Sequence, residues 1–235
     1  MGRPAVVFAS GQLLTAEVWA PQIAALSPDY DLRLSDHGRD DNIAGIAARL
    51  LAEAPVRFHL VAHAMGGFTA FEVMRQAPER IESLVLIATL APDDGPAQRE
   101  RRAGYIRLVE DGRFDEVVEE RIPILVHPAR REDEPLLAVV RRMAAETGAA
   151  RFLAQQRAIL GRPDSRPTLR DIAVPTLLVR GAQDGITTQE HQAELLAGIG
   201  GARLTVVDDC GHLPTLEKPR TTSRILAEWL AGRAS

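Results

Sequence analysis

The sequence predicts an α/β fold: a mostly parallel sheet of about six strands flanked by helices, with a helical cap inserted after the fourth strand. Three observations carry this expectation. Short β-branched or aliphatic runs alternate with longer amphipathic stretches through the first 91 residues, the pattern of strands joined by crossover helices. About 75 residues then pass with helical spacing alone, and beyond them the run VPTLLVRG restores a buried strand.

The elements follow in order. A first strand is expected at 5–9 (AVVFA), a helix at 17–26 and a second strand at 31–34. The next helix, 42–54, gathers Ile43, Ile46, Ala47 and Leu50 on one face. A third strand at 58–62 leads into a helix over 65–76 that stops before Pro78. The fourth strand, 84–88, is the near-continuous apolar run LVLIA, which marks a central strand covered on both faces. The cap segments are RERRAGYIRLVEDG, FDEVVEERI, EPLLAVVRRMAAE and AARFLAQQRAIL, separated by Gly, Pro or charged turns. A strand at 174–179, a helix at 189–197, a strand at 204–207 and a helix at 220–231 complete the chain. The core is therefore expected to comprise residues 1–91 and 168–235, and the cap residues 92–167, with no repeat or low-complexity tract.

Bulk composition narrows the function classes. With 235 residues, 46% of them hydrophobic, the chain can bury one large core. Its 28 Lys and Arg stand against 32 Asp and Glu without a basic block, which argues against nucleic acid as a partner. No run approaches the roughly 18 apolar residues of a membrane span, and the N-terminal apolar run is too short for a secretory signal. A cytoplasmic protein, monomer or homodimer, is expected. Cys210 is the only cysteine, so an internal disulfide is excluded, and the six histidines are too dispersed to suggest a metal cluster.

Residues 61–70 read VAHAMGGFTA. An apolar strand enters a sharp corner and a helix leaves it, with small residues, Ala62 and Gly66, two places either side of the tip. Gly67 extends the small patch. Such corners hold out a reactive side chain and aim the first helical NH groups at whatever binds above. Here the tip is Ala64, which has no reactive group. If the tip were serine, an acid and then a histidine should follow on loops after later strands. Asp184 follows TLLVRG in RGAQDG, and His212 follows LTVV in DDCGHLP. His212 could take the nucleophile's proton while Asp184 fixed its tautomer and stabilised the cation. An oxyanion hole would draw one NH from Met65 and a second from Gln12, in the loop SGQLL after the first strand.

At these residues the chain resembles the α/β-hydrolase family, in its small cap-bearing branch of bacterial esterase-like enzymes, over essentially the whole length. AHAMGG is similar to the family elbow with alanine for serine, RGAQDG to its acid loop, and CGHLPTLEKP to its histidine loop. The chain has Ser10-Gly11 where many relatives have His-Gly, and Thr188 near the place of a frequent proline. The first strand corresponds to the family's third, so the usual leading β-hairpin is expected to be absent. The resemblance implies hydrolysis of a small-molecule acyl substrate, with carboxylic esters the default and lactones, thioesters and amides the alternatives. No cofactor is implied. Leu13 and the cap residues Tyr105, Phe114 and Leu125 are expected to bind substrate; the cap also carries Ile106, Val117, Ile122, Phe152 and Leu153, and some of this apolar set must hold the helices together instead, a division that spacing alone does not make.

Asp184 and His212 are each ordinary turn residues alone, and their order at the ends of separate strands makes the case. His63 is read as packing or hydrogen bonding at the strand end, Cys210 as a buried small residue, and Ser10 as outside the chemistry. Asp36, His37, Asp40 and Asp41 read as a solvated turn with a helix cap. Arg99, Arg101, Arg102, Arg130 and Arg131 could meet an acidic substrate, but exposed helix faces explain them more simply. Two accounts of Ala64 follow: an engineered inactive variant of a serine enzyme, or a natural pseudoenzyme that binds a small ligand. The first is preferred, because an idle fold has no physical need to keep both other triad members.

Overall fold

A computed structural model describes residues 2–232. Six strands, β1 (Ala5–Ala9), β2 (Asp31–Leu34), β3 (Phe58–His63), β4 (Ile81–Ile87), β5 (Thr176–Gly181) and β6 (Arg203–Val207), form one sheet in the order β2-β1-β3-β4-β5-β6. Every pairing is parallel. Successive residues of a strand face opposite sides, and the core divides accordingly. Val6, Phe8, Val61, Val85 and Ile87 join one apolar cluster, while Val7, Ala9, Leu60, Leu84 and Leu86 join the other. Two such faces explain the apolar runs LVA within β3 and LVLI within β4.

The second face is covered by α2 (Ile43–Glu53), α3 (Met65–Gln76) and α8 (Gln189–Gly198), which contribute Ala47, Phe71 and Leu195. The first is covered by α1 (Ala20–Leu26) and, after the short α9 (Pro214–Glu217), by α10 (Pro219–Ala231), with Leu26, Leu226 and Leu230. Between β4 and β5 the chain leaves the sheet for α4 (Pro96–Glu110), α5 (Phe114–Leu125) and α6 (Glu134–Leu160), then the short α7 (Arg166–Leu169). Among the described residues no helix is long and apolar enough to cross a membrane.

Element ends differ from expectation for local reasons. The helix expected at 17–26 is a 3-10 turn, Ala16–Trp19, followed by α1, whose second residue Pro21 has no NH and suits a helix start. β4 stops at Ile87 because Ala88 turns to φ 48°. β5 starts after Pro175, which has no NH for a ladder. The last two expected cap helices are the two limbs of α6, bent at Gly148 with φ 70° and ψ 167°. The loop after β2 is only partly a solvated turn. The Asn42 side chain caps α2 by accepting the Gly45 NH at 2.7 Å, and Asp40 pairs with Arg49, but His37 is buried.

Candidate active site

Parallel strands deliver their following loops to one edge, and the crevice there is where open α/β sheets bind ligands. β3 ends in the tightest of these loops. Ala64 adopts φ 50° and ψ −110°, a conformation that costs a non-glycine residue about 1–3 kcal/mol. Its surroundings hold it there. The Ala64 NH donates to Ile87 O at 2.9 Å, and its carbonyl accepts from the Thr89 hydroxyl at 2.8 Å. The small residue two places on is required by α3's approach to β1, since a Cβ at Gly66 would lie 2.1 Å from the Ala9 carbonyl oxygen.

Asp184 and His212 meet above β5 and β6. His212 Nδ1–H donates to Asp184 Oδ2 at 2.9 Å, and both side chains are nearly sealed from solvent. The other carboxylate oxygen accepts the NH groups of Ile186 and Thr187 at 2.8 and 3.0 Å, and the Thr187 hydroxyl donates to Oδ2. Burial alone would raise the Asp184 carboxyl, but its interaction with the His212 ring and these hydrogen bonds outweigh it and hold Asp184 well below the usual carboxylate range. The ring is thereby fixed with its proton on Nδ1, leaving Nε2 as the basic atom.

The two loops interlock: a Cβ at Gly181 would lie 2.0 Å from the Gly211 carbonyl oxygen. Glu217 is the clamp of the histidine loop, its carboxylate accepting the NH groups of His127, Gly211 and Leu213 at 2.7, 3.0 and 3.2 Å. Sequence reasoning did not single out Glu217, and only the structure shows three donors converging on it. His63 props the same loop from below. Its Nε2–H donates to His212 O at 2.8 Å, and burial, reinforced by the nearby His212, pushes its ring down to about 3.

A cavity of about 600 Å³ opens over Ala64 and is lined by Gln12, Met65, Tyr105, Leu125 and His212 among others. Asp184 stands behind His212, outside the lining. Met65 opens α3, so its NH has no intrahelical acceptor, and among the described residues the Gln12 NH has none either. Leu13 and Phe114 do not line the cavity. Leu13 turns into the main core at φ 62°, its NH donated to Gln155 Oε1 at 3.1 Å, and Phe114 packs against Phe152 with ring centroids 5.7 Å apart. Leu14, Phe68 and Ile124 line it instead, which helical spacing alone does not reveal. Ser10 Oγ accepts the Trp19 indole NH at 3.0 Å, and the Cys210 thiol is buried and pushed up by that burial. Among the described residues no group of three or more His, Cys, Asp or Glu comes together to hold a metal ion.

Comparison with known proteins agrees with this architecture. A sequence profile described as "Alpha/beta hydrolase family" matches residues 6–225. The pimeloyl-[acyl-carrier protein] methyl ester esterase of Edwardsiella ictaluri is 26% identical over 99% of this chain and 95% of its own length. Among solved structures, a thermophilic esterase from Thermogutta terrifontis superposes with TM-score 0.91 at 24% identity, over 100% of this chain and 92% of that one. The enol-lactonase from Burkholderia xenovorans LB400 gives 0.88 at 22% identity, over 98% and 92%.

Proposed function

This chain belongs to the alpha/beta hydrolase family, and from that premise we propose that its site is built to hydrolyse a small carboxylic ester or related acyl compound. Ala64 occupies the place of the nucleophilic serine in a Ser–Asp–His triad. The observation that carries this reading is the shared cavity of Ala64 and His212, with Asp184 2.9 Å behind the ring. The methyl ester esterase among the relatives supports an ester as substrate.

With serine at 64, the hydroxyl attacks the acyl carbon as His212 Nε2 takes its proton, and Asp184 stabilises the resulting imidazolium. The NH groups of Gln12 and Met65 hold the tetrahedral oxyanion. His212 then protonates the leaving alcohol, and water, activated by the same ring, cleaves the acyl-enzyme. The helices between β4 and β5 act as the cap over this chemistry. With alanine there is no atom to attack, so the chain as it stands binds its substrate without turning it over. A serine parent, disarmed by substitution, is supported by the intact acid, base and elbow. A cytoplasmic setting goes with this reading, supported by the lone, buried Cys210.

Ala64 itself favours one competing reading, a natural binding protein of hydrolase descent. The variant Ala64→Ser, assayed on p-nitrophenyl acetate and butyrate, separates the two. Turnover about six powers of ten above the alanine protein is expected. If the serine variant is no faster while small esters or lactones still raise the melting temperature, the binding protein is the correct reading.

A further inference from the structure

The charge in the cavity is opposite to that of the chain. The whole sequence carries a formal charge of −4. The cavity is lined by Arg101, Arg102, Arg121, Arg131 and Arg162 against Asp93 and Asp94, a formal +3. Arg99 and Arg130, also candidates on sequence grounds, are elsewhere: Arg99 binds Asp93 and the Leu160 carbonyl, Arg130 binds Asp133 and the Glu217 carbonyl.

Two of the five cations have structural work. Arg102 and Arg162 both pair with Asp94, and Arg162 also donates to the carbonyls of Ile159 and Pro92 and lies 4.2 Å from the Phe68 ring centroid. Asp93 is taken by Arg99 at 3.1 Å. Among the described residues Arg101, Arg121 and Arg131 therefore have no carboxylate partner. Arg101 and Arg131 are exposed; Arg131 Nε donates to the Pro123 carbonyl at 3.1 Å, and solvent accounts for the other donors. Arg121 is different. Its guanidinium sits 5.5 Å from the Tyr105 ring centroid, and its Nε is sealed from solvent with no acceptor. The Tyr105 hydroxyl beside it donates to Glu120 Oε1 at 2.9 Å. Burial, then the like charges of Arg102 and Arg101, push Arg121 down to about 10, still a cation at neutral pH. A half-buried guanidinium beside two others is repelled by them and favoured by an anion, and its fork of donors matches a carboxylate.

We infer that the acyl compound this site takes carries a second, ionised carboxylate remote from the scissile bond, held in the cavity by Arg121 with Arg101 at the mouth. This rests on the hydrolase reading for the reaction, but not for the binding. The half-esters monomethyl succinate, glutarate and adipate are the probes, each against its neutral dimethyl ester.

In the Ala64→Ser protein, at least one half-ester is expected to exceed its diester tenfold or more in kcat/KM, mainly through KM, with the advantage shrinking as salt is raised. Arg121→Met in that background should abolish the preference, Arg101→Gln should weaken it, and Arg113→Gln, which breaks an ion pair with Glu116 outside the cavity, should leave it unchanged. Equal rates for half-ester and diester, or a preference that survives Arg121→Met in a folded variant, would overturn the inference and leave the hydrolase reading standing. If the serine variant turns over no ester, the hydrolase reading fails and the alanine protein decides the anion site by itself. A half-ester must then raise its melting temperature more than the diester does, and Arg101→Gln must reduce that difference; equal shifts overturn the inference.

Discussion

The rim of the sheet and the helices inserted between β4 and β5 meet in one cavity but are built by different means. At the rim, backbone touches backbone. The acid and histidine loops interlock at Gly181 and Gly211, and Asp184 and Glu217 are each held by backbone NH groups. The insertion is tied by side chains, many of them exposed, as in the Arg141 pairs with Glu119 and Glu134 at 2.8 and 3.0 Å. Exposed pairs of this kind contribute little to stability. The contrast separates duties. The rim leaves no room for a Cβ at Gly66, Gly181 or Gly211, whereas the exposed side chains of the insertion can be exchanged; on the proposed reading the first sets the chemistry and the second what enters. The two are joined where the His212 NH donates to Leu125 O at 3.1 Å and where Leu13 donates to Gln155.

The largest expected effect is at the rim's ion pair. In an Ala64→Ser background, Asp184→Asn should lower kcat by about four powers of ten, because an amide in place of the carboxylate favours the wrong imidazole tautomer. Steady-state rates on p-nitrophenyl butyrate measure this. A fall of less than tenfold would mean that the ring is oriented by its loop alone, through His63 and Glu217.

Glycines test the packing side of the contrast. Gly66→Ala forces a methyl group to 2.1 Å from a backbone oxygen that cannot retreat without moving β1, and should cost about 3 kcal/mol. Gly104→Ala, inside α4 of the insertion, meets only the end of the Arg107 side chain at 3.9 Å and replaces a helix-interior glycine, so it should cost nothing and gain about 0.5–1 kcal/mol. Urea unfolding of both variants checks the ranking. Equal losses would erase the distinction between the two regions.

The same contrast governs what could be read from the sequence. The elbow was legible because a sharp corner restricts residue types: Ala62, Gly66 and Gly67 are small for a steric reason. Asp184 and His212 were legible because parallel strands send their following loops to one edge. The inner face of the insertion was not. Apolar spacing in RERRAGYIRLVEDG says which side of α4 is buried, but Arg102 is drawn inward by Asp94, a loop residue before the helix. Phe114 and Leu13 misled for the same reason, since an apolar side chain satisfies a helix contact as readily as a pocket. His37 was concealed by its polar neighbours in sequence; Thr147, Arg151 and Gln155, which border the same small cavity, lie more than 100 residues away.

The smallest of these effects is a pH dependence at the rim. His63 is neutral in the fold, with its ring pushed down to about 3, whereas in the unfolded chain it titrates near 6.5. A histidine with a lowered folded value contributes nothing above its unfolded value and costs stability as pH falls below it, because only the unfolded chain gains the proton. Between pH 7 and 5.5 this amounts to about 1 kcal/mol from His63. His37, pushed down to about 4 by burial, and His59, also lowered by burial, add in the same direction, so the parent slope has several sources. His63→Gln isolates one of them: the Gln side-chain NH2 can still donate to the His212 carbonyl, but it cannot be protonated. Urea midpoints at pH 7 and 5.5 should therefore differ less for His63→Gln than for the parent, by about 1 kcal/mol. Asp184, lowered rather than raised, loses its contribution only in stronger acid and leaves this window clear. If the two proteins keep the same slope, the proton taken up on unfolding goes to His37 and His59 instead, and the rim is no more acid-sensitive than the loop beneath the insertion.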